Sequence, residues 1–445
     1  MTGSGSLYGE LFEDHEMLTL FSDHATLQGL LDFEAALSSA QAAEVIIPHN
    51  ALAPILAACR AELYDTAGIG REATLAGNPA IPMVKRLTEE VARRDLEAAR
   101  WVHWGATSQD AIDSGRAAQV RSALELLVGR ALRLTRALAA RTQADRDTVM
   151  AGRTLLQHAL PMTFGLKTAY WLDALIGHVE ALRAVVPTSP VPLGGAAGTL
   201  ASLAGKGAAL QQRLTGAAAP VPFHTGRQSF VRIGCELGML TGTLGKIARD
   251  IMLLMQTEVG EAFEPAASGK GGSSTLPHKR NPVQSLAISA IALRTPGLVS
   301  TLLSAMVQEH ERAAGGWHAE WEVLPELCIL AGAALSHAIP LIEGLEIDAA
   351  RMRSNLDLTQ GLVLSERVAL ALGERIGRAE AKAVLAEASR SALARGLHLR
   401  AVLAEDPRVA GQIDPASLDA MFDPSTYLGA THAIIDRVLA RCREL

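Results

Sequence analysis

Residues 234–254 read GCELGMLTGTLGKIARDIMLL, and this stretch decides the fold class. Its apolar side chains recur at alternating steps of three and four, at Leu237, Leu240, Leu244, Ile247, Ile251 and Leu254. This spacing is typical of the buried seam of a long helix in a bundle. Four glycines in the same stretch lower its helix propensity but let a neighbouring helix approach closely. We therefore expect packing, rather than intrinsic propensity, to stabilise this helix.

Composition and punctuation extend this interpretation to the whole chain. The 445 residues are 49% apolar but only 4% aromatic, and the excess of alanine and leucine favours helices packed on helices. No stretch sustains an alternation of apolar and polar residues, so a major β-sheet is not expected. Proline- and glycine-rich runs at 187–198, 217–226 and 265–282 interrupt the helical pattern. The sequence predicts an all-α fold of three domains: an N-terminal helical domain (1–110), a central long-helix bundle (111–355) and a C-terminal helical cap (356–445).

Charge and cysteine content limit the classes of partner. A net charge of −6 lacks the basic bias of nucleic-acid-binding proteins. The longest apolar run, 327–335, is shorter than the ~20 residues that span a bilayer, and the acidic N-terminus does not resemble a signal peptide. The four cysteines lie far apart and have no metal-ligand spacing. We expect a cytoplasmic protein with reduced thiols, no metal, no nucleic-acid partner and no membrane partner.

The loop 268–282, SGKGGSSTLPHKRNP, carries the most chemical information. Its glycines allow the backbone to bend, and two hydroxyls follow them, Ser273 and Ser274. Lys279, Arg280 and Asn281 then precede a proline, a typical helix start. Two cations, an amide and a helix N-terminus in one place predict an anion site that the hydroxyl arm closes. A solvated linker is the plain alternative, and the spacing of a P-loop is not met.

Three motifs, in order along the chain, resemble the fumarase/aspartase superfamily. The run GSSTLPHKRNP (272–282) is similar to the superfamily signature, with Leu276 in place of the usual methionine. HWGATSQD (103–110) resembles the first conserved region, and GRTLLQHALPMTFG (152–165) resembles the second. The match spans most of the chain. It implies a fumarase/aspartase-like all-α fold around a central long-helix bundle, and an enzyme that needs no metal and no organic cofactor.

The resemblance also implies roles for individual residues. Ser273, the first serine of the signature, is the expected proton-transfer residue. The expected substrate-binding residues are Thr107, Ser108, Thr154, Gln157, Ser274, Lys279, Asn281 and Arg312. Without the resemblance, Thr107–Asp110 and Thr154–Gln157 have the spacing of a helix capping box, although Pro161 follows the second too soon for a settled helix. For Arg312, an ordinary ion pair is an equal alternative.

Departures from the superfamily pattern discriminate among its members. Many of its lyases carry a histidine, which assists the departing group, where this chain has Leu155; an apolar side chain cannot protonate an amine. His158 is nearby, but on a helix it would point about 100° away. Residues 77–84, GNPAIPMV, also lack a histidine that adenylosuccinate lyases usually carry. Both losses favour the bacterial 3-carboxymuconate cycloisomerases, which AGNPAIPMVKRL, PVPLGGAAGTLA and GGWHAEWEVLPEL also resemble.

This resemblance implies an internal addition. A carboxylate of a small polycarboxylate substrate adds to the substrate's own diene and forms a lactone, in the β-ketoadipate route of aromatic breakdown. It further implies a homotetramer whose active sites are shared between subunits. A β-eliminating lyase that releases fumarate, and a helical assembly without turnover, are the alternatives. The roles of His158, His318 and Lys382 stay open.

Overall fold

The computed structural model describes residues 7–186, 193–215, 221, 222, 224–267, 269–272, 275, 276 and 278–445. The chain forms two compact units, each made of three segments. Unit 1 comprises Met1–Ala131, His178–Leu244 and Ala290–Ser336. Unit 2 comprises Leu132–Gly177, Gly245–Ser289 and His337–Leu445. The predicted connections at 187–198 and 217–226 fall partly outside the described residues.

Helices dominate the described residues, which confirms the predicted all-α class. The α-helices are α1 (His15–Leu20), α2 (Asp23–Ala43), α3 (Leu52–Ala58), α4 (Thr66–Ala76), α5 (Ala80–Arg94), α6 (Ser108–Ala144), α7 (Phe164–Val185), α8 (Gly207–Thr215), α9 (Gln228–Leu254), α10 (Val283–Ala305), α11 (Gly316–Glu343), α12 (Ala349–Leu356), α13 (Ser365–Ile376), α14 (Arg378–Arg395), α15 (Leu399–Glu405), α16 (Pro407–Ala410), α17 (Pro415–Met421) and α18 (Thr431–Arg443). Five of them exceed 20 residues between positions 108 and 343, as the long-helix prediction requires.

The apolar seam between Leu237 and Leu254 lies on α9. Its six apolar side chains are all buried, and α9 ends at the last of them, Leu254. A Cβ atom added at Gly234 would lie 2.4 Å from Leu302, and one added at Gly238 would lie 2.8 Å from Val299. These two glycines therefore let α9 and α10 approach closely, as predicted. Packing of this kind compensates for the low helix propensity of glycine.

Two small antiparallel sheets interrupt the helices in the described part of the chain. Strand β1 (Val149–Thr154) pairs with β2 (Gln157–Thr163) in a hairpin. Strand β3 (Ala262–Phe263) pairs with β4 (Glu346–Ile347). Each of these sheets has two strands, and the described residues contain no larger one, in agreement with the prediction of no major sheet. The helix-cap alternative for Thr154–Gln157 is wrong, because these residues pair across a two-residue hairpin turn.

Two helices are long and apolar enough, by length and composition alone, to cross a membrane. For α11, 78% of the most apolar stretch is buried inside the fold, so it is a core helix. For α10 the corresponding share is only 28%. Leu286, Leu293 and Leu303 of α10 are at least half exposed. This helix therefore presents an apolar face that the described residues leave uncovered.

The C-terminal helices have a core of their own within unit 2. Thirteen buried side chains between Val368 and Leu418 form this cluster. It is contributed mainly by α13, α14 and α15, which pack against one another. The domain boundaries at 110 and 355 stay predictions.

Candidate active site

Asp110 organises the start of α6 in unit 1. It is fully buried, and its carboxylate accepts the backbone N–H groups of Thr107 (2.9 Å), Gly194 (2.8 Å) and Gly195 (3.1 Å). The imidazole Nε2 of His224 lies 2.8 Å from Asp110 Oδ1. The bond to Thr107 is the predicted capping interaction. Its carboxylate also fixes the Gly194–Gly195 turn against the first turn of α6.

Arg312 lies beside the same helix start. Its Nε donates to Gln109 Oε1 at 3.1 Å, and its Nη2 donates to the carbonyl oxygens of Gly195 and Ala196 at 3.4 and 3.2 Å. Among the described residues, Arg312 bonds to neutral oxygens and not to a carboxylate. Arg312 thus contacts Gln109, the residue after Ser108, and its Nη1 has no hydrogen-bond partner within the part of the chain that the structure describes. Its substrate-binding role stays a prediction.

A buried charge cluster adjoins the start of α6 through Asp113. The Arg227 guanidinium pairs with Asp113 at 2.6 Å and with Glu320 at 2.5 Å, and Trp317 Nε1 donates to Asp113 at 2.9 Å. Burial alone would lower the pKa of Arg227, but the two carboxylates raise it above its ordinary value. A guanidinium held this way stays charged, so the cluster is a fixed anchor between α6, α9 and α11.

His103 begins the segment that leads into α6. Its backbone adopts the left-handed region (φ 56°), which is uncommon for a residue other than glycine. Its Nδ1 lies 2.6 Å from Oε1 of the buried Glu34. Burial lowers the pKa of His103, but the Glu34 carboxylate outweighs that effect and raises it above the ordinary value. The strained backbone is therefore held by a charge-assisted hydrogen bond.

In unit 2, the β1–β2 hairpin carries two of the predicted ligands. Thr154 and Gln157 are paired across the turn, which consists of Leu155 (φ 50°) and Leu156 (φ 65°). Both leucines are in the left-handed region, and they are 96% and 74% exposed. His158 lies on a strand, so the helical geometry assumed for it from the sequence is wrong. Burial, with the nearby Arg153 charge, lowers the pKa of His158 and keeps its ring neutral at pH 7.

The signature loop surrounds a cavity of about 210 Å³ in unit 2. Lys279 and Asn281 both line it, and Lys270, Arg280, Glu264 and Met255 contribute further walls. Gly271 closes the loop, because the Asn281 N–H donates to its carbonyl at 2.8 Å. A Cβ atom at Gly271 would lie 2.5 Å from the Asn281 carbonyl oxygen, so no other residue fits.

The start of α10 differs from the predicted anion site. The helix begins at Val283, close to the predicted position. However, the backbone N–H groups of Gln284 and Ser285 donate to the carboxylate of Glu264, at 3.1 and 2.7 Å. The helix N-terminus is therefore occupied by a side chain of the chain itself. Among the described residues, the side chains of Lys279 and Asn281 line the cavity beside Lys270, which donates to Gln284 at 2.7 Å, and Arg280, which pairs with Glu346 at 3.0 Å.

Six of the predicted ligands share one property. Within the described residues, the side chains of Thr107, Ser108, Thr154, Gln157 and Lys279 form no hydrogen bond, and the Asn281 side chain forms only one, of 3.4 Å, to the Gly272 carbonyl. Their polar groups are thus available to a ligand. Thr107 and Ser108 belong to unit 1, whereas Thr154, Gln157, Lys279 and Asn281 belong to unit 2. Ser273 and Ser274 lie outside the described residues.

Sequence reasoning missed the residues that hold these ligands in place. Asp110 stood in a recognised motif, and its position after Thr107 gave a signal for the capping bond. His224, which lies 114 residues further along the chain, gave none. Glu264 lies four residues before the loop 268–282 and has no signal of its own in the sequence. Lys270 lay within the signature loop and was left without a role.

Comparison with known proteins places this arrangement among enzymes. Residues 12–297 match the family model described as Lyase, and residues 361–438 match the one described as Adenylosuccinate lyase C-terminus. The chain is 51% identical to the 3-carboxy-cis,cis-muconate cycloisomerase of Pseudomonas aeruginosa, over 99% of this chain and 97% of that protein. It is 46% identical to the enzyme of the same name from Bradyrhizobium diazoefficiens, over 98% of each. The crystal structure of the 3-carboxy-cis,cis-muconate lactonizing enzyme from Pseudomonas putida superposes with a TM-score of 0.93, at 44% identity and 99% coverage of both chains.

Proposed function

Because this chain belongs to the lyase family, that of the fumarase/aspartase superfamily, we propose that it is a cycloisomerase that converts 3-carboxy-cis,cis-muconate to 4-carboxymuconolactone. The reaction belongs to the protocatechuate branch of the β-ketoadipate route. The observation that carries the proposal is the cationic cavity of unit 2. It is supported by relatives that are named for this reaction and that match this chain over nearly their whole length. Three positive side chains, one amide and one carboxylate line this cavity, so the positive charges outnumber the negative one, which suits a polycarboxylate substrate.

The chemistry follows from the charge that develops. One substrate carboxylate adds to a diene carbon, and the π electrons move onto a second carboxylate as a dianionic aci-carboxylate. Lys279 and Asn281 stabilise this dianion more than the ground state, which is how they accelerate the step. Ser273 then gives a proton to the adjacent carbon, and solvent restores the serine proton. No group leaves the substrate, so no acid has to protonate a departing amine.

Leu155 supports this choice within the family. It lies at the tip of the hairpin between Thr154 and Gln157, the two proposed ligands of the second region. An apolar side chain there serves an internal addition but not the release of an amine. Thr107 and Ser108 are proposed to bind the substrate because their hydroxyls are available to contact a substrate oxygen. Arg312 contributes through Nη1.

The second candidate is a β-eliminating lyase of the same family. The match of residues 361–438 to the C-terminal model of adenylosuccinate lyase favours it. Leu155 counts against it, because an apolar side chain cannot protonate a departing amine. An assembly without turnover is disfavoured, since the relatives are named as enzymes.

We further propose a cytoplasmic homotetramer with active sites shared between subunits. The support is the uncovered apolar face of α10, where Leu286, Leu293 and Leu303 are at least half exposed. Burying such a face against a second copy gains about 25 cal/mol per Å² of apolar surface. Sedimentation equilibrium should give four chains per particle, and Leu293→Glu should reduce that number. A monomer in the unsubstituted protein contradicts the assembly.

A substrate panel tests the activity. The purified protein, without added metal, should remove the diene absorbance of 3-carboxy-cis,cis-muconate and should not release fumarate from adenylosuccinate. The opposite pattern would favour the lyase. Ser273→Ala should lower kcat by at least ~10²-fold, the scale of a general acid–base residue. Ser39→Ala, at an exposed serine on α2, is the matched control and should leave kcat unchanged.

A further inference from the structure

Two buried carboxylates lie three residues apart, one on each side of β3. Glu261 is completely buried and Glu264 is 3% exposed. Burying a carboxylate is costly unless it is paired and hydrogen-bonded. Each of the two is fully engaged, but with a different part of unit 2. Glu261 bonds to the hairpin, and Glu264 bonds to the end of the signature loop.

Glu261 holds the hairpin through the residue next to Thr154. The Arg153 guanidinium donates to both carboxylate oxygens of Glu261, at 2.8 and 2.6 Å. Asn355 on α12, itself buried, donates to Glu261 Oε1 at 2.7 Å. A bidentate pair of this kind fixes orientation as well as distance. The position of Thr154 along the strand is therefore set by Glu261.

Glu264 holds the residues that follow Lys279 and Asn281. Its side chain binds the first N–H groups of α10, as described above, and its carbonyl accepts from Arg280 Nη2 at 2.5 Å. The Arg280 guanidinium also pairs with Glu346 on β4, the partner of β3, at 3.0 Å. Glu264 is thus bonded to the side chain that precedes Asn281 and to the backbone that follows it.

We propose that residues 261–264 form a positioning segment for two pairs of proposed ligands. Glu261 fixes the hairpin ligands Thr154 and Gln157, and Glu264 fixes the cavity ligands Lys279 and Asn281. Because only β3 separates the two carboxylates, one short segment orders both pairs of ligands. This inference rests on the proposed function for its kinetic consequence. The positioning itself does not require that function.

Glu264 has a second effect that separates positioning from mere stabilisation of the fold. It lines the cavity, so its negative charge repels a substrate carboxylate while its bonds order the cations. Glu264→Gln should therefore leave KM unchanged or lower it, and should lower kcat by about tenfold or more because the ligands are misplaced. If Glu264 only stabilised the fold, its substitution would reduce the amount of active enzyme and would not lower the KM of the folded enzyme.

Hydrogen–deuterium exchange of the full-length protein tests the positioning directly. Glu264→Gln should speed exchange at residues 278–286 and leave the hairpin, 149–163, at its original rate. Glu261→Gln should do the reverse. Glu258→Gln, an exposed carboxylate in the same connection, is the matched control and should change neither segment. If either glutamine variant does not fold, the aspartate variants retain the charge on a shorter arm and should loosen the same segments.

The proposal is overturned if each variant loosens both segments equally, or if neither segment changes. It is also overturned if Glu264→Gln keeps the original kcat, or raises KM with kcat unaltered. Failure of the unsubstituted protein to convert 3-carboxy-cis,cis-muconate would reject the proposed function instead. In that case the exchange pattern alone decides whether the segment positions the two sites.

Discussion

The start of α6 and the β1–β2 hairpin carry the same spacing, a threonine followed three residues later by a polar side chain, and fold differently. Thr107 and Asp110 begin a 37-residue helix, whereas Thr154 and Gln157 face each other across a hairpin turn. The fourth residue makes the difference. Asp110 is a short acceptor that reaches back to the Thr107 N–H, while Gln157 begins a strand that Pro161 keeps from becoming helical.

The two regions also treat backbone strain differently. Each contains left-handed residues other than glycine: His103 before α6, and Leu155 and Leu156 in the hairpin turn. His103 is held by a buried carboxylate, whereas the two leucines are exposed. Strain persists only where the surroundings over-determine it or where it serves function. The first region is thus anchored by polar bonds, and the second relies on the β1–β2 pairing and on Arg153.

The two regions should differ most in the stability that is lost when the fourth residue of each motif is removed. Asp110→Ala leaves three backbone N–H groups without their acceptor in a buried site, and should lower the free energy of unfolding by about 3 kcal/mol or more. Gln157→Ala, at an exposed position, should change it by less than about 0.5 kcal/mol. Urea denaturation of both variants measures the two values. Equal losses would mean that the hairpin residue is as much a structural anchor as Asp110.

The sequence predicted the parts of both regions that depend on local pattern. The α9 seam was readable because helical spacing reports burial directly, and the α6 start because its acceptor lies three residues away. The hairpin was missed because a capping box and a two-residue turn share one spacing. The pairing of Asp110 with His224 and of Arg153 with Glu261 joins residues more than 100 positions apart. Only the tertiary structure brings such partners together.

Loss of the hydrogen bond between His103 and Glu34 should lower the free energy of unfolding by an intermediate amount, and this amount should depend on pH. Glu34 raises the pKa of His103 in the folded protein above the unfolded value of 6.5, and the nearby Asp110 adds to this. The stabilisation is therefore complete below about pH 6.5 and is lost as the pH rises through the raised pKa. His103→Gln should cost about 1.5–3 kcal/mol at pH 5.5, the worth of a hydrogen bond to a charged group, and less at pH 9.

Denaturation of both proteins across that range gives the difference directly. His432→Gln removes an exposed histidine paired with Asp147 and serves as the control, with little change at any pH. A difference for His103→Gln that stays constant with pH would show that the ring contributes by packing rather than by its charge.

The smallest change in stability should come from the β1–β2 turn, where a substitution should stabilise the protein. Leu156 is 74% exposed and has φ 65°, so Leu156→Gly gives up little buried surface and removes a strain of roughly 1–2 kcal/mol. The extra freedom of glycine in the unfolded chain offsets part of this gain, which leaves about 0.5–1 kcal/mol of net stabilisation. Leu75→Gly is the matched control, because Leu75 is equally apolar and 92% exposed but lies in helix α4. There glycine should destabilise the protein by about 1 kcal/mol. Opposite shifts in the thermal midpoint would establish that the turn stores strain; a loss of stability in both variants would instead mean that Leu156 makes contacts in the assembled protein that outweigh its backbone cost.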